Sequence, residues 1–283
     1  MLCYENDWGS LQLYGGGGVW NVTECVGLEL PNKVFQVVQY AEMPGQVTMQ
    51  ERAEARVVTL RGDCCGGRQA LSEGMRILNQ KGRLWIQGQG IFRQIEAYCS
   101  LFEIQKHHGE YVEFIMQFTC DDPYFGAEEP VRMAMYGRRD LVEGSFKMPC
   151  LFTSRLTTAT IYNNGDVKAE PIFTIYCKSV GSGGDTQGIC IENTTTGAKF
   201  MLDYTMVEGE TITVDIPNRQ IYSDLKTTDN NEGNLIEYIS KDTYLSDLAL
   251  VVGENQFTTS NYNVGSDIII VCELKEKYLE AVM

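Results

Sequence analysis

Few residues of this 283-residue chain stand in the patterns that catalysis or metal binding demands. Its two histidines, His107 and His108, are sequence neighbours. Neighbours on a turn point apart, and neither has a partner at the i+4 helical spacing that brings two imidazoles onto one metal. Cys64-Cys65 suggests a thiol pair, yet Cys-x-x-Cys occurs nowhere among the ten cysteines. Asp121-Asp122 resembles an acid and base pair, but Pro123 biases Asp122 toward extended backbone. There an aspartate caps a turn through its own backbone. Asp203, Asp215 and Asp267 lack the spacing of a calcium loop. Nothing sets two of them at the separation a glycosidase needs. Gly15–Gly18 is not followed by the Lys-Ser/Thr of a phosphate loop, and no Gly-x-Ser-x-Gly elbow is present. The expectation is a protein that is not an enzyme, with no metal and no cofactor.

Surface chemistry is more informative. Residues 156–283 hold 8 Lys and Arg against 19 Asp and Glu, a balance of −11 out of −15 for the chain. Such a surface repels phosphate, which argues against tight nucleic-acid binding. Residues 126–155 alone are net positive and contain Arg138-Arg139, a candidate contact for an acidic partner surface. Tyr204, Tyr222, Tyr244 and Tyr262 are candidates for stacking on sugars, against the simpler reading that they are core or interface. Most cysteines lie in apolar runs such as Ile270-Val271-Cys272 and are expected to be buried, reduced thiols. The N-terminus has neither the basic region nor the apolar core of a signal peptide. The longest apolar runs, Leu248–Val252 and Ile268–Cys272, are too short to span a membrane.

The elements that would position these residues are mainly strands. Val34–Tyr40 has the β-branched and aromatic content of a half-buried strand. Leu71, Met75 and Leu78 fall at i, i+4 and i+7, which places an apolar stripe on a short helix within 67–80. Strands are expected at Arg83–Gln87, Ile91–Ile104 and Tyr111–Cys120. The first domain, 1–125, therefore reads as an α+β sandwich or split barrel with one short helix. Residues 126–155, rich in Gly and Met, read as an extended connection or arm. Strands resume in 156–283, with hairpin turns expected at Asn163–Asp166 and Thr195–Gly197, so this domain reads as an all-β sandwich. Its final strand could pair back onto the first domain.

Several short phrases occur in a distinctive order. Thr119-Cys120-Asp121-Asp122-Pro123-Tyr124-Phe125 closes the first half. Pro171-Ile172, Asn193–Gly197, Gly209–Asp215 and Leu250–Asn255 follow. In order and spacing they resemble the distal tail protein family of long-tailed bacteriophages, over nearly the whole chain. The resemblance implies a virion tail protein assembled in the host cytoplasm. Its N-terminal domain would close a homo-hexameric ring that continues the tail tube, with DNA passing through without specific binding. Its C-terminal domain would be a galectin-like β-sandwich. The partners implied are the tail tube protein, a tail-tip or tail-associated protein, and receptor-binding or baseplate proteins. The alternative is a carbohydrate-binding adhesion module that contacts the host surface directly.

Overall fold

A computed structural model of the chain describes residues 1–14, 18–42, 44–140, 153–180, 188–225, 233–261 and 266–281. They form two compact units, Met1–Glu128 with Lys277–Met283, and Glu129–Glu276. The protein is mainly β, as its composition and turn spacing predict.

In the first unit, β1 (Leu2–Asn6), β2 (Gly9–Tyr14), β3 (Trp20–Val26), β4 (Lys33–Val38), β5 (Val47–Ala53) and β6 (Arg56–Cys64) precede the helix α1 (Gly67–Leu78). Then come β7 (Gly82–Gly88), β8 (Ile91–His108), β9 (Tyr111–Cys120) and the short β10 (Phe125–Gly126). The antiparallel order is β2-β1-β7-β8-β9-β6-β3. β8 makes one sheet serve as two walls. Ile91–Ala97 pair with β7, and Tyr98–His108 pair with β9, with irregularities in register at Cys99/Leu101 and Ile104/Lys106. Strict alternation along β9 sends Val112, Phe114, Met116, Phe118 and Cys120 inward, the period-2 signature of a half-buried strand. Trp20 packs on Phe114 with ring centroids 5.2 Å apart.

α1 covers this core, but its stripe differs from the one expected. Gly67, Leu71, Gly74 and Leu78 are buried, whereas Met75 is exposed. The reason is Trp20. A Cβ on Gly74 would lie 2.4 Å from the indole Cζ2, so the helix seats on the ring through a glycine and turns Met75 outward.

β4 and β5 also depart from expectation. They form a two-stranded ladder of their own. Every residue from Lys33 to Val37 and from Val47 to Arg52 is exposed. The β-branched content of Val34–Val38 is that of a strand, but this strand is not half-buried within the chain.

The second unit contains β11 (Val131–Asp140), β12 (Thr153–Leu156), β13 (Thr158–Asn163), β14 (Pro171–Ser179), β15 (Ile189–Asn193), β16 (Ala198–Leu202), β17 (Thr211–Asp215), β18 (Gln220–Ser223), β19 (Gly253–Asn261) and β20 (Asp267–Leu274). Two sheets, β12-β11-β20-β14-β17-β18 and β13-β19-β15-β16, enclose one core. Phe173 of one meets Phe257 of the other edge-on at 6.2 Å. Thr195–Gly197 makes the expected β15–β16 hairpin. Asn163–Asp166 instead carries the chain from one sheet to the other, since β13 pairs with β19 and β14 with β20.

Two boundaries differ from the sequence reading. Within 126–155, residues 131–140 are a strand hydrogen-bonded to β20, and 153–156 return beside 137–140. The chain end does pair back: β21 (Lys277–Tyr278) lies antiparallel to β10 in the first unit.

Candidate interaction surfaces

The ordered phrases of the sequence are hydrogen-bonded staples. The Asn193 Oδ1 accepts from the backbone N–H groups of Thr195 and Thr196, at 3.0 and 3.3 Å. Gly197, at φ +76°, completes the turn in a region favouring glycine. The Asn193 amide donates to the Oδ1 of Asn255 at 3.2 Å. Asn255 in turn receives the N–H of Val251 and donates to the Val251 and Gly253 carbonyls. Two phrases 62 residues apart are thus one buried network. Glu210 is also fully buried. It accepts from the Tyr204 hydroxyl at 2.9 Å, the Val207 N–H at 2.8 Å and the Ser223 hydroxyl at 2.5 Å. Buried polar groups persist when satisfied in this way.

The first unit has a comparable node. Arg56 is 3% exposed and donates to the carbonyls of Pro123, Gly27, Glu29 and Leu279 at 2.6–2.7 Å. Its guanidinium sits 4.4 Å from the Phe125 ring centroid. Asp122 caps Tyr124 at 3.1 Å and pairs with Lys277 at 2.8 Å. The Thr119–Phe125 phrase therefore clasps the returning C-terminal strand. Asp122 thus caps a turn beside Pro123, as its place before a proline suggests.

The residues singled out for binding fall in different places. Arg138 and Arg139 lie on β11, opposite Arg155 and Ser154, with side chains outside the described residues. Tyr204 packs against the core, edge-on to Tyr238 at 5.2 Å, with its hydroxyl committed to Glu210. Tyr222 is exposed on β18, and Tyr244, 66% exposed, precedes a short 3-10 turn at Leu245–Leu248. Tyr262 lies outside the described residues. Tyr176 is exposed as well, on β14, within Ile172–Ser179, a run that reads as plain strand.

The described cysteines are all free thiols; Cys150 lies outside the described residues. Burial pushes the thiols of Cys25, Cys120 and Cys272 up to about 12. A hydrogen bond to the Asp63 carboxylate raises that of exposed Cys65. Thiols held protonated are poor nucleophiles. Asp215 caps its own turn at Asn218. Among the described residues, no three His, Cys, Asp or Glu groups gather as metal ligands.

Two surface features stand out in the first unit. The β4–β5 ladder exposes Val34, Phe35, Val37, Val47 and Met49, with one cross-strand ion pair, Lys33–Glu51 at 2.5 Å. An open groove of about 1140 Å³ runs beside α1, with Leu71, Met75 and Ile104 among its walls and Arg68, Arg76 and His107 at its sides. Clustered exposed apolar residues of this kind mark interaction surfaces.

No protein-family model matches the chain, and no curated protein matches it by sequence. Solved structures do. The SPP1 Dit protein is described as a paradigm of hub adsorption apparatus in phages infecting Gram-positive bacteria. It superposes with a TM-score of 0.59 over 91% of this chain and 93% of its own, at 13% identity. A chain of the phage P2 baseplate, in its activated conformation with calcium, gives a TM-score of 0.52 over 97% of both chains at 10% identity. The fold of this protein is similar to that of these phage hub and baseplate proteins over more than nine-tenths of the chain.

Proposed function

We propose that the chain is a structural hub of a phage tail. Six copies close into a ring at the distal end of the tail, the ring continues the tail tube, and DNA passes through it without specific binding. The tail tube protein, a tail-tip protein and receptor-binding or baseplate proteins attach around it, the last through a galectin-like second unit. The work is assembly in the host cytoplasm and attachment in the virion, and no reaction is catalysed. The observation that carries this reading is the likeness to SPP1 Dit over nine-tenths of both chains.

The chain's own surfaces support it. A ladder that exposes apolar residues and leaves two strand edges open invites pairing with another chain. A heterologous contact repeated by rotation closes a ring. The β4–β5 ladder is the proposed clasp between neighbouring copies, and Arg138-Arg139 the proposed contact with an acidic neighbour. Negative-stain electron microscopy of the concentrated protein tests the reading: closed six-fold rings with an open centre are expected. Single particles of monomer size at every concentration would overturn it.

A second reading, direct grip on host-surface carbohydrate, is favoured by one observation, the exposure of Tyr222 on the outer face of the six-stranded sheet.

A further inference from the structure

The outward face of β11-β20-β14-β17-β18 has an unusual composition for so acidic a half of the chain. Strand register fixes its rows. Ala134 lies beside Val271, Val271 beside Thr174, Thr174 beside Thr213, and Thr213 beside Tyr222. The next row runs Ile269, Tyr176, Thr211. None of these eight residues is charged. All alternate with core residues such as Phe173, Ile175, Ile212, Val214 and Ile270, so their side chains stand on the opposite, outward face. Charge begins at the margins of these rows. Arg132 and Glu273 pair at 2.7 Å in the row beyond Val271 and Thr174, where Asp215 also stands; exposed Lys178 follows Tyr176 by two residues along β14, and Asp224 caps Thr211.

From this geometry we infer a binding face for a neutral polysaccharide, with Tyr176 and Tyr222 as its two stacking platforms and Thr174, Thr211 and Thr213 as its hydroxyl donors and acceptors. The inference rests on the second of the two functional readings and is independent of ring formation. Tyr176 and Tyr222 are 39% and 42% exposed, so each offers ring surface while its base is held by the sheet. They stand two strands and two residues apart, roughly 12 Å from strand spacing and rise. That distance suits an extended oligosaccharide rather than a single sugar. A tyrosine ring supplies a broad apolar surface with a polar tip, which matches the apolar face and hydroxyl edge of a pyranose. Threonine hydroxyls both donate and accept, as sugar hydroxyls do. The partner's chemistry follows from what the face lacks. Neither row holds a cation, Arg132 at the margin is paired with Glu273, and the surrounding acidity disfavours polymers that carry phosphate or carboxylate. An uncharged surface within an acidic domain complements an uncharged ligand.

Affinity electrophoresis of the full chain through gels containing soluble neutral polysaccharides (dextran, mannan, galactan, rhamnan and mixed-linkage glucan) tests this. Retardation by at least one is expected, unchanged in 0.5 M salt. Tyr176→Ala and Tyr222→Ala should each weaken it at least tenfold, Tyr222→Phe should keep it, and Tyr162→Ala, at an exposed position on β13 of the four-stranded sheet, should leave it alone. Unchanged melting temperatures would show that the variants fold. Retardation by none of these polymers overturns the inference. So does retardation that salt abolishes, or that Tyr176→Ala and Tyr222→Ala leave intact. Loss of rings with retardation preserved would count against the hub reading and not against this one.

Discussion

Arg56 directs a guanidinium at four backbone carbonyls with no carboxylate among them. Burial lowers its pKa from the usual value, yet arginine stays charged across the working range. Its value lies in tying 27–29, 123–125 and 279 together. Arg56→Met removes all four donors and leaves buried acceptors, each costing about 1–3 kcal/mol. The expected loss is at least about 3 kcal/mol by denaturant unfolding, with faster amide exchange at 277–281. A change under 1 kcal/mol would mean that the node does not hold the chain end. The buried titratable groups make a second prediction. Cys25, Cys120 and Cys272 ionise near 9.0 when free, and Tyr4 near 10.0; burial holds all four to about 12. Folding therefore raises these pKa values. The associated stability is complete below pH 9 and is lost as pH rises toward 12. Melting temperature should fall steadily over that window, and less so in a variant with the three cysteines replaced by alanine. At this scale the sequence was half legible. Asn193, Gly197, Gly253 and Asp122 declare turns by residue type. That Asn193 and Asn255 meet, or that Arg56 receives a strand 223 residues away, depends on packing that no local pattern encodes.

Elements show the same division. The strands expected at 83–87, 91–104 and 111–120 were readable because alternation and turns mark them, although the second runs on through His107 and His108, which the sequence suggested were in the turn. Helix α1 was readable as a helix but not in its contact. Propensity alone predicts that Gly74→Ala stabilises it by about 1 kcal/mol. The structure predicts the reverse, because the new methyl meets the Trp20 ring at 2.4 Å and overpacking costs about 1–3 kcal/mol. A lower melting point for Gly74→Ala is expected; a higher one would show that the helix does not seat on Trp20. The β4–β5 ladder was misread for a related reason. Its Val and Phe residues prescribe a strand, and apolar content suggested burial within the same chain. Pattern reports that a segment is a strand, not whether its apolar face is buried.

The whole molecule is two units with an interleaved boundary, since the chain leaves the first at 128 and rejoins it at 277. A fragment cut at 156 would lack β11, which supplies buried Met135 and Tyr136 and pairs with β20. Residues 129–276 should therefore express as a folded β protein, while 156–283 should be unfolded or aggregated by circular dichroism and proton NMR; equal folding of both would contradict the assignment. Net charge and phrase order were legible from the sequence at this scale, whereas the return of the last strand was only a possibility until its partner was seen. The central claim is the ring. Native mass spectrometry of the full chain tests it most directly. A dominant species at six times the 31.8 kDa chain is expected, reduced to monomer by Phe35→Asp with Met49→Asp, both exposed on the β4–β5 ladder and outside the core. A monomer or dimer at all concentrations, or a hexamer indifferent to the double substitution, would contradict it.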